Sequence, residues 1–148
     1  MEKTTFADTT VSRCTYYRRT CGLPAGIQPQ LNRIVVRAGW IGAITMPGRL
    51  GQRVRDDLLH RRITLGPIIC HVRSGRFTYL CRPDLPDDVQ LFWKLFTLNV
   101  SIVPAGSEIA LPSPADTQSE YRCWIVPPRD TFRPSGLVIV DAIGKVAK

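Results

Sequence analysis

Residues 66–82, with the sequence GPIICHVRSGRFTYLCR, contain the pattern of a β-hairpin. Two runs rich in β-branched and aromatic residues, 68–72 and 76–82, lie on either side of a short turn at Ser74 and Gly75. Two such runs around a glycine-containing turn are the signature of a β-hairpin. The sequence therefore predicts two neighbouring antiparallel strands here.

Two further elements are predicted upstream of this hairpin. Residues 33–46, RIVVRAGWIGAITM, are rich in residues that favour strands, and they predict a strand pair or one long strand with a bend at Gly39. Residues 50–61 predict a helix, because apolar residues recur there at i, i+4 and i+8 along one stripe. These residues are Leu50, Val54 and Leu58.

A second helix is predicted downstream, over residues 86–98, where Asp87 and Asp88 would lie in the first turn and complement the helix dipole. We expect the apolar residues of this helix to pack in the core. They are Val89, Phe92, Trp93, Leu95 and Phe96. Short strands are predicted at 100–103, 108–111, 124–126 and 137–140.

The order strand, helix, hairpin, helix, strands indicates an α+β fold, a single domain over residues 31–148 with a mixed sheet and two main helices. The polar residues 1–30 predict a basic arm or loop. A chain of 148 residues, 44% of them hydrophobic, is long enough to bury a core. No apolar run approaches the ~18 residues that a membrane span needs, and the N-terminus has no signal-like apolar segment. We therefore expect a cytoplasmic protein that contacts no membrane.

The cysteines argue against both a disulfide framework and a metal site. Their number is odd and no CxxC pair is present, whereas disulfide frameworks favour even counts and zinc needs about four closely spaced ligands. The five are Cys14, Cys21, Cys70, Cys81 and Cys123. The two histidines, His60 and His71, are not at ligand spacing from any of them. We expect reduced thiols, Cys70 and Cys81 in the core, and no cofactor.

Charge is unevenly distributed along the chain, whose net charge is +8. Residues 1–83 carry 14 Lys and Arg against 4 Asp and Glu, and residues 84–148 carry 6 against 8. Sixteen of the 20 basic residues are arginine, whose guanidinium forks onto phosphate. This excess indicates either a surface that faces a polyanion or a basic face that only keeps the protein in solution.

No catalytic motif is present in the sequence. Nucleophile-elbow, phosphate-loop and dinucleotide-binding patterns are all missing. Residues 9–55 contain no Asp or Glu, and the adjacent Asp56 and Asp57 point about 100° apart on a helix, which suits no shared metal ion. We expect His60 to be a surface residue and His71 to be a hydrogen-bonded residue of the sheet. The sequence therefore predicts that the protein is not an enzyme.

Five short patterns follow one another in a suggestive order. The strand AITMP at 43–47 precedes the first helix, and the hairpin strand SGRFTYL at 74–80 follows it. The strand VSIV at 100–103 comes next, before a proline turn, IALPSP, at 109–114 and a closing segment, YRCW, at 121–124. In this order, about half of the chain resembles the small catalytic domain of bacterial bifunctional primase–polymerases, in the archaeo-eukaryotic primase superfamily.

The resemblance implies a primase-like scaffold without its chemistry. That family has a D-x-D carboxylate pair before the first helix, a histidine in the hairpin strand and a third acidic residue in the next strand. Here residues 43–47 contain no carboxylate, Phe77 stands where the family has histidine, and Ser101 stands where it has the third acid. The resemblance therefore implies a regulatory, DNA-binding role and no polymerase activity.

The first functional hypothesis is a non-catalytic regulatory domain that binds nucleic acid through its Arg-rich half. The candidate phosphate contacts are Arg13, Arg18, Arg19, Arg33, Arg37, Arg49, Arg53, Arg55, Arg61, Arg62, Arg73 and Arg76. Three aromatic residues near them, Tyr16, Tyr17 and Trp40, are candidates for stacking on bases.

Two other hypotheses remain open. The protein is alternatively a protein-interaction or assembly domain, whose basic arm docks on an acidic partner and whose proline-rich segment 126–134 presents an extended edge. A third hypothesis is an enzyme that uses Cys14 or Cys21, because neighbouring arginines lower a thiol pKa. No His or Asn partner is visible for such a cysteine, so an ordinary thiol is the better interpretation.

Overall fold

The computed structural model describes residues 9–119 and 121–147, in which five helices and eight strands occur. The predicted α+β fold is confirmed. The helices are α1 (Thr10–Arg19), α2 (Gly48–His60), α3 (Val89–Thr97), α4 (Pro114–Ser119) and α5 (Gly136–Val146). The strands are β1 (Ala25–Gln28), β2 (Arg33–Arg37), β3 (Gly42–Pro47), β4 (Ile68–His71), β5 (Arg76–Cys81), β6 (Ser101–Ile102), β7 (Glu108–Leu111) and β8 (Arg122–Val126).

The predicted hairpin is confirmed as β4 and β5, and it lies in a five-stranded sheet of order β6-β3-β5-β4-β8. Gly75 closes the turn with a φ of +70°, a conformation that glycine adopts without steric cost. The second sheet has three strands in the order β1-β2-β7. Every ladder between these strands is antiparallel, so the expected mixed sheet is replaced by two antiparallel sheets.

The stretch 33–46 forms two strands, but the predicted strand pair is wrong, because the two strands pair with other strands and belong to different sheets. β2 lies at the centre of the three-stranded sheet and β3 lies inside the five-stranded sheet. Gly39, with a φ of +117°, is in the connection between them. The chain therefore crosses from one sheet to the other at the predicted bend.

Residues 9–30 are part of the packed structure, so the predicted arm or loop is wrong there; residues 1–8 lie outside the described residues. Thr9 and Ser12 begin α1 with a capping box, each side chain bonding the other's backbone N–H. Cys14 and Tyr17 then point into the core, one turn apart. The sequence pattern misses this helix because a cysteine and a tyrosine, rather than aliphatic residues, carry its buried face.

Two core clusters lie on opposite faces of the five-stranded sheet. The first contains residues of α1 and the three-stranded sheet together with Ile69 and Leu80. The second contains residues of α2, α3 and α5 together with Ile68 and Tyr79. Because side chains alternate along a strand, neighbours such as Ile68 and Ile69 enter different clusters.

Residues 136–146 form helix α5, so the predicted strand over 137–140 is wrong. The Ser135 hydroxyl accepts a hydrogen bond from the Leu137 N–H at 3.2 Å and caps the helix. Ile139 and Ile143 are buried one helical turn apart. Their helical spacing outweighs the local preference of β-branched residues for strands. None of the helices in the described residues has the length and apolarity that crossing a membrane requires.

Candidate interaction surfaces

Helix α3 carries two apolar stripes, and only one of them faces the protein. Leu91 and Leu95 pack into the second core cluster, as does Leu98 just after the helix. The second stripe recurs at i, i+3, i+4 and i+7, the spacing of one helical face. We call it the α3 stripe, and it consists of Val89, Phe92, Trp93 and Phe96.

The α3 stripe is exposed, so the prediction that these residues pack in the core is wrong; of the five predicted, only Leu95 is buried. The exposed fractions are 77% for Val89, 37% for Phe92, 66% for Trp93 and 67% for Phe96. The Trp93 and Phe96 rings stack on each other with centroids 5.8 Å apart. A fully accessible aromatic side chain presents about 150–250 Å², so the stripe leaves on the order of 500 Å² of apolar surface in water. Patches of that size on a monomer are frequently functional.

Two shallow apolar grooves flank Phe92, which lines both. One has a volume of about 190 Å³ and is lined on its far side by residues that include Leu85, Val103 and Ala105. The other, of about 340 Å³, runs between α3 and Ile102. Gly39 also lines the first groove, and the next residue, Trp40, is 78% exposed. The apolar surface therefore extends from the α3 stripe toward the connection between β2 and β3.

The ends of α3 carry opposite charges. Asp88 caps the helix by accepting hydrogen bonds from the Gln90 and Leu91 N–H groups at 2.9 and 3.3 Å, and the exposed Asp87 precedes it. Lys94 lies in the last turn. The surface around the stripe is thus acidic at one end of the helix and basic at the other.

A second candidate surface lies at the tip of the β4–β5 hairpin. The Gly48 N–H donates to the Gly75 carbonyl at 2.7 Å, which brings the start of α2 to the hairpin tip. In the sheet register Pro47 lies opposite Arg76. Four arginines therefore lie at this end of the sheet, and together we call them the basic edge. They are Arg49, Arg73, Arg76 and Arg122.

The four arginines of the basic edge differ in their partners. Arg49 and Arg73 are exposed and have no ion pair within residues 9–119 and 121–147. The Arg73 guanidinium lies over the Tyr121 ring, 4.2 Å from its centroid. Arg76 donates to the Thr45 hydroxyl at 3.1 Å and to the Asn99 carbonyl at 2.9 Å. Arg122, which the sequence does not single out, donates to Asp116 at 2.9 Å.

His71 lies between two of these arginines, opposite Arg76 on one side and Arg122 on the other. Its Nε2 is 2.7 Å from the Thr78 hydroxyl, as expected for a hydrogen-bonded residue of the sheet. Burial lowers the pKa of His71, and the two nearby arginines lower it further. The imidazole is therefore neutral at pH 7, and His71 adds no charge to the basic edge.

The remaining predicted phosphate contacts are spread over several elements and do not meet at one surface. Arg13, Arg18 and Arg19 lie on α1, Arg33 and Arg37 on β2, and Arg53 and Arg55 on α2, with Arg61 and Arg62 just after it. Arg61 pairs with Asp57, one helical turn before it, and with Asp141 of α5.

Of the three predicted stacking aromatics, two are not available. Tyr17 is buried and donates to the Pro112 carbonyl at 2.6 Å. Tyr16 is half-buried and donates to the Pro128 carbonyl at 3.1 Å. Trp40 is exposed but lies beside the apolar groove next to α3. Tyr121, which no local pattern marks as a stacking residue, is the aromatic that contacts the basic edge.

The proline-rich segment 126–134 is anchored at several positions, and residues 129–132 between them are exposed. Pro128 and Pro134 are buried. The Pro134 carbonyl accepts from the Arg82 N–H at 2.8 Å, and Arg133 donates to the Cys21 carbonyl at 3.0 Å. These contacts hold the segment against the rest of the protein.

The positions of the primase-like comparison divide between the two faces of the sheet. Thr45 lies opposite Thr78 and, on its other side, opposite Ser101, so these three side chains share one face. Phe77 lies opposite Met46 and packs on the other face, against α2. Phe77 and Ser101 therefore do not contribute to one common site.

The two thiols near the N-terminus have pKa values above that of a free cysteine. Burial raises the pKa of both Cys14 and Cys21, and this effect exceeds the lowering by nearby arginines. The net lowering of the thiol pKa that the reactive-cysteine hypothesis expects is therefore absent, and catalysis by Cys14 or Cys21 stays a hypothesis. Within the described residues, no three His, Cys, Asp or Glu side chains come together as a metal site.

Comparisons of the chain with models of protein families, with curated proteins and with solved structures give no match. The resemblance to bifunctional primase–polymerases stays a prediction. The α3 stripe and the basic edge are the two surfaces from which a function can be argued.

Proposed function

We propose that the protein is a non-catalytic assembly domain of the cytoplasm, and that it associates through the α3 stripe. The observation that carries the proposal is the second apolar stripe of α3. A helix that is apolar on two faces has a second face to bury, and the core covers only the face of Leu91 and Leu95. The predicted basic arm plays no part, because residues 9–30 are packed into the fold.

The partner we propose is a second copy of the same chain, with the two α3 helices antiparallel. In that arrangement Asp87 and Asp88 of one copy lie near Lys94 of the other, so that opposite charges flank the apolar contact. A standard interface buries about 800 Å² on each partner. The α3 stripe, at about 500 Å², together with the adjoining grooves and Trp40, is of the right size.

The test of this proposal is the molar mass of the protein in solution. We expect sedimentation equilibrium under reducing conditions to show a concentration-dependent dimer. The double variant Trp93→Ser and Phe96→Ser should weaken the dimer at least about 100-fold, since central aromatic residues dominate interface energies. Both side chains are exposed in the single chain, so the melting temperature measured at low concentration should change little.

A matched control removes the same kind of surface elsewhere. Leu59→Ser with Phe132→Ser replaces two exposed apolar residues outside α3 and should leave the dimer unchanged. A wild-type protein that stays monomeric up to about 200 µM, well above typical oligomer dissociation constants, would overturn the second-copy assignment. Equal weakening by both double variants would overturn the assignment to α3.

A second candidate function, binding of nucleic acid by a regulatory domain, is favoured by the basic edge. Arg49 and Arg73 are exposed and come from two different segments, the start of α2 and the hairpin turn, and Arg73 lies over the Tyr121 ring. Two exposed guanidinium groups, one of them next to an aromatic ring, suit a phosphate backbone with one stacked base. Phosphates carry no base information, so we expect this binding to be independent of sequence.

The salt dependence of binding tests this second function. For wild-type protein on duplex DNA, log K should fall linearly with log salt concentration. The double variant Arg49→Ala and Arg73→Ala should reduce that slope by about 1.8, since each phosphate contact contributes about 0.9.

The control variant, Arg62→Ala with Arg82→Ala, removes the same charge from the opposite ends of α2 and β5. Those ends are roughly 20 Å from the basic edge, because the rise is about 1.5 Å per helical residue and about 3.3 Å per strand residue. The control should keep the wild-type slope. Equal loss in both variants would mean diffuse attraction by net charge, and no binding at about 50 mM salt would reject the function.

A further inference from the structure

Two thiols face each other across strands β4 and β8. Cys70 and Cys123 are direct partners in the antiparallel register, and both are free thiols. Opposed residues of an antiparallel pair have Cα atoms about 4.5–5.5 Å apart. Disulfides join residues whose Cα atoms are about 4.4–6.8 Å apart, so the backbone already holds these cysteines at bonding distance.

The two sulfurs differ in their access to solvent. β8 is an outer strand of the five-stranded sheet, and Cys123 on it is exposed, whereas Cys70 is half-buried. Burial raises the pKa of the Cys70 thiol, and its interaction with the Cys123 thiol raises the pKa further. An oxidant in solution therefore reaches Cys123 first, and Cys70 is placed to react second.

The other three cysteines do not combine an exposed sulfur with a thiol that lies opposite it in the sheet. Cys14 and Cys21 are buried in the first core cluster. Cys81 is buried opposite Gly42, and burial raises the pKa of its thiol to about 12. Any oxidation of the folded protein by a small solute should therefore begin at Cys123.

We propose that Cys70 and Cys123 form a reversible intramolecular disulfide, with a peroxide as the oxidant. The Cys123 sulfur attacks one peroxide oxygen, the O–O bond breaks, and a sulfenic acid and one water form. The Cys70 sulfur then attacks the Cys123 sulfur and displaces the hydroxyl group as a second water. In total two thiols and one hydrogen peroxide give one disulfide and two waters. Two equivalents of a small thiol reverse the reaction by exchange.

The disulfide would tie an outer strand to its neighbour next to the basic edge. Cys123 directly follows Arg122, and Cys70 directly precedes His71. Arg122 and His71 are also partners, at the next position of the β4–β8 register. The bond therefore fixes the pairing of β4 and β8 where Arg122 enters the basic edge. The inference does not depend on the proposed assembly function, since α3 lies elsewhere in the fold.

Peptide mapping after mild oxidation tests the proposal. Native protein is treated with hydrogen peroxide and then unfolded in denaturant, its remaining thiols are alkylated, and its intact mass and peptides are measured. We expect three alkylated thiols, a Cys70–Cys123 cross-linked peptide and a loss of about 2 Da, all reversed by dithiothreitol. The variant Cys70→Ser should trap the Cys123 sulfenic acid, detected with dimedone, and Cys123→Ser should block oxidation.

A control variant and a second probe complete the experiment. Cys81→Ser removes a buried thiol and should still form the cross-linked peptide. Phenylarsine oxide, which bridges two adjacent thiols without oxidising them, should protect Cys70 and Cys123 from alkylation in wild-type protein and in neither single variant. Disulfides between chains, accumulation of Cys123 sulfinic acid, or five alkylated thiols after treatment would each overturn the proposal.

Discussion

Replacing Tyr17 with alanine is expected to lower the free energy of unfolding by about 3–5 kcal/mol, as removal of a fully buried aromatic ring does. Only 1% of the Tyr17 surface is exposed. Its hydroxyl donates to the Pro112 carbonyl at 2.6 Å and accepts from the Trp124 indole N–H at 2.9 Å. The two rings meet edge to face at 5.8 Å. Tyr17 therefore joins α1 to the sheet and to the segment after β7.

Urea unfolding followed by tryptophan fluorescence measures this effect. The variant Tyr17→Phe keeps the ring but leaves the Pro112 carbonyl and the Trp124 N–H without their partner, which should cost about 1–3 kcal/mol. Thr15→Ala changes an exposed residue of the same helix and should stay within about 0.5 kcal/mol of wild type. A Tyr17→Ala protein of wild-type stability would mean that residues 9–30 are not packed as described.

Replacing Gly48 with alanine is expected to lower the free energy of unfolding by about 3 kcal/mol, near the upper end for overpacking. A Cβ at this position would lie inside van der Waals contact with the Gly75 carbonyl oxygen. That oxygen accepts the Gly48 N–H, so α2 cannot move away without losing the bond. The next turn is also constrained, because the Tyr79 hydroxyl donates to the Gly51 carbonyl at 2.6 Å.

The matched control is the same substitution at Gly144, and its expected effect has the opposite sign. Gly144 lies within α5, and among the described residues no atom beyond its chain neighbours and the adjacent helix backbone lies within 4 Å of its Cβ position. Alanine is favoured over glycine inside a helix by about 0.5–1 kcal/mol, so Gly144→Ala should stabilise the protein. The same urea titration measures both variants. A destabilising Gly144→Ala would contradict the helix assigned to residues 136–146, and a neutral Gly48→Ala would contradict the close contact of α2 with the hairpin.

Local sequence predicts the elements whose signal is complete within a few residues. The β4–β5 hairpin follows from two β-rich runs and a Ser-Gly turn, and α2 follows from the spacing of Leu50, Val54 and Leu58. The strand predicted at 108–111 is β7 with the same bounds. In each case pattern, propensity and turn residues point to the same structure.

Local sequence is wrong where two periodicities compete or where the buried residues are atypical. β-branched residues over 137–140 indicate a strand, yet the Ser135 cap and the helical spacing of Ile139 and Ile143 give α5. In α1 the buried residues are Cys14 and Tyr17 among polar neighbours, so no apolar stripe marks the helix. The error in both cases arises because burial, which decides the element, depends on residues distant in sequence.

The candidate surfaces depend on tertiary structure to a greater extent than the individual helices and strands do. The sequence shows that α3 is apolar, but Leu91 and Phe92 are equally apolar, and only the position of the sheet decides which of them is covered. The basic edge needs the start of α2 and the hairpin tip to meet. The Cys70–Cys123 pair needs the register of β4 and β8, which are separated by about a third of the chain.

The α+β class, the central hairpin, helix α2 and the excess of arginine are all predicted from the amino-acid sequence, because composition and short-range periodicity are properties of neighbouring residues. Tertiary structure alone decided that residues 9–30 join the fold, that the α3 stripe faces solvent and that Cys70 lies opposite Cys123. The physical reason is that burial and strand register follow from contacts between distant segments, and a one-residue change in register would move each side chain to the other face.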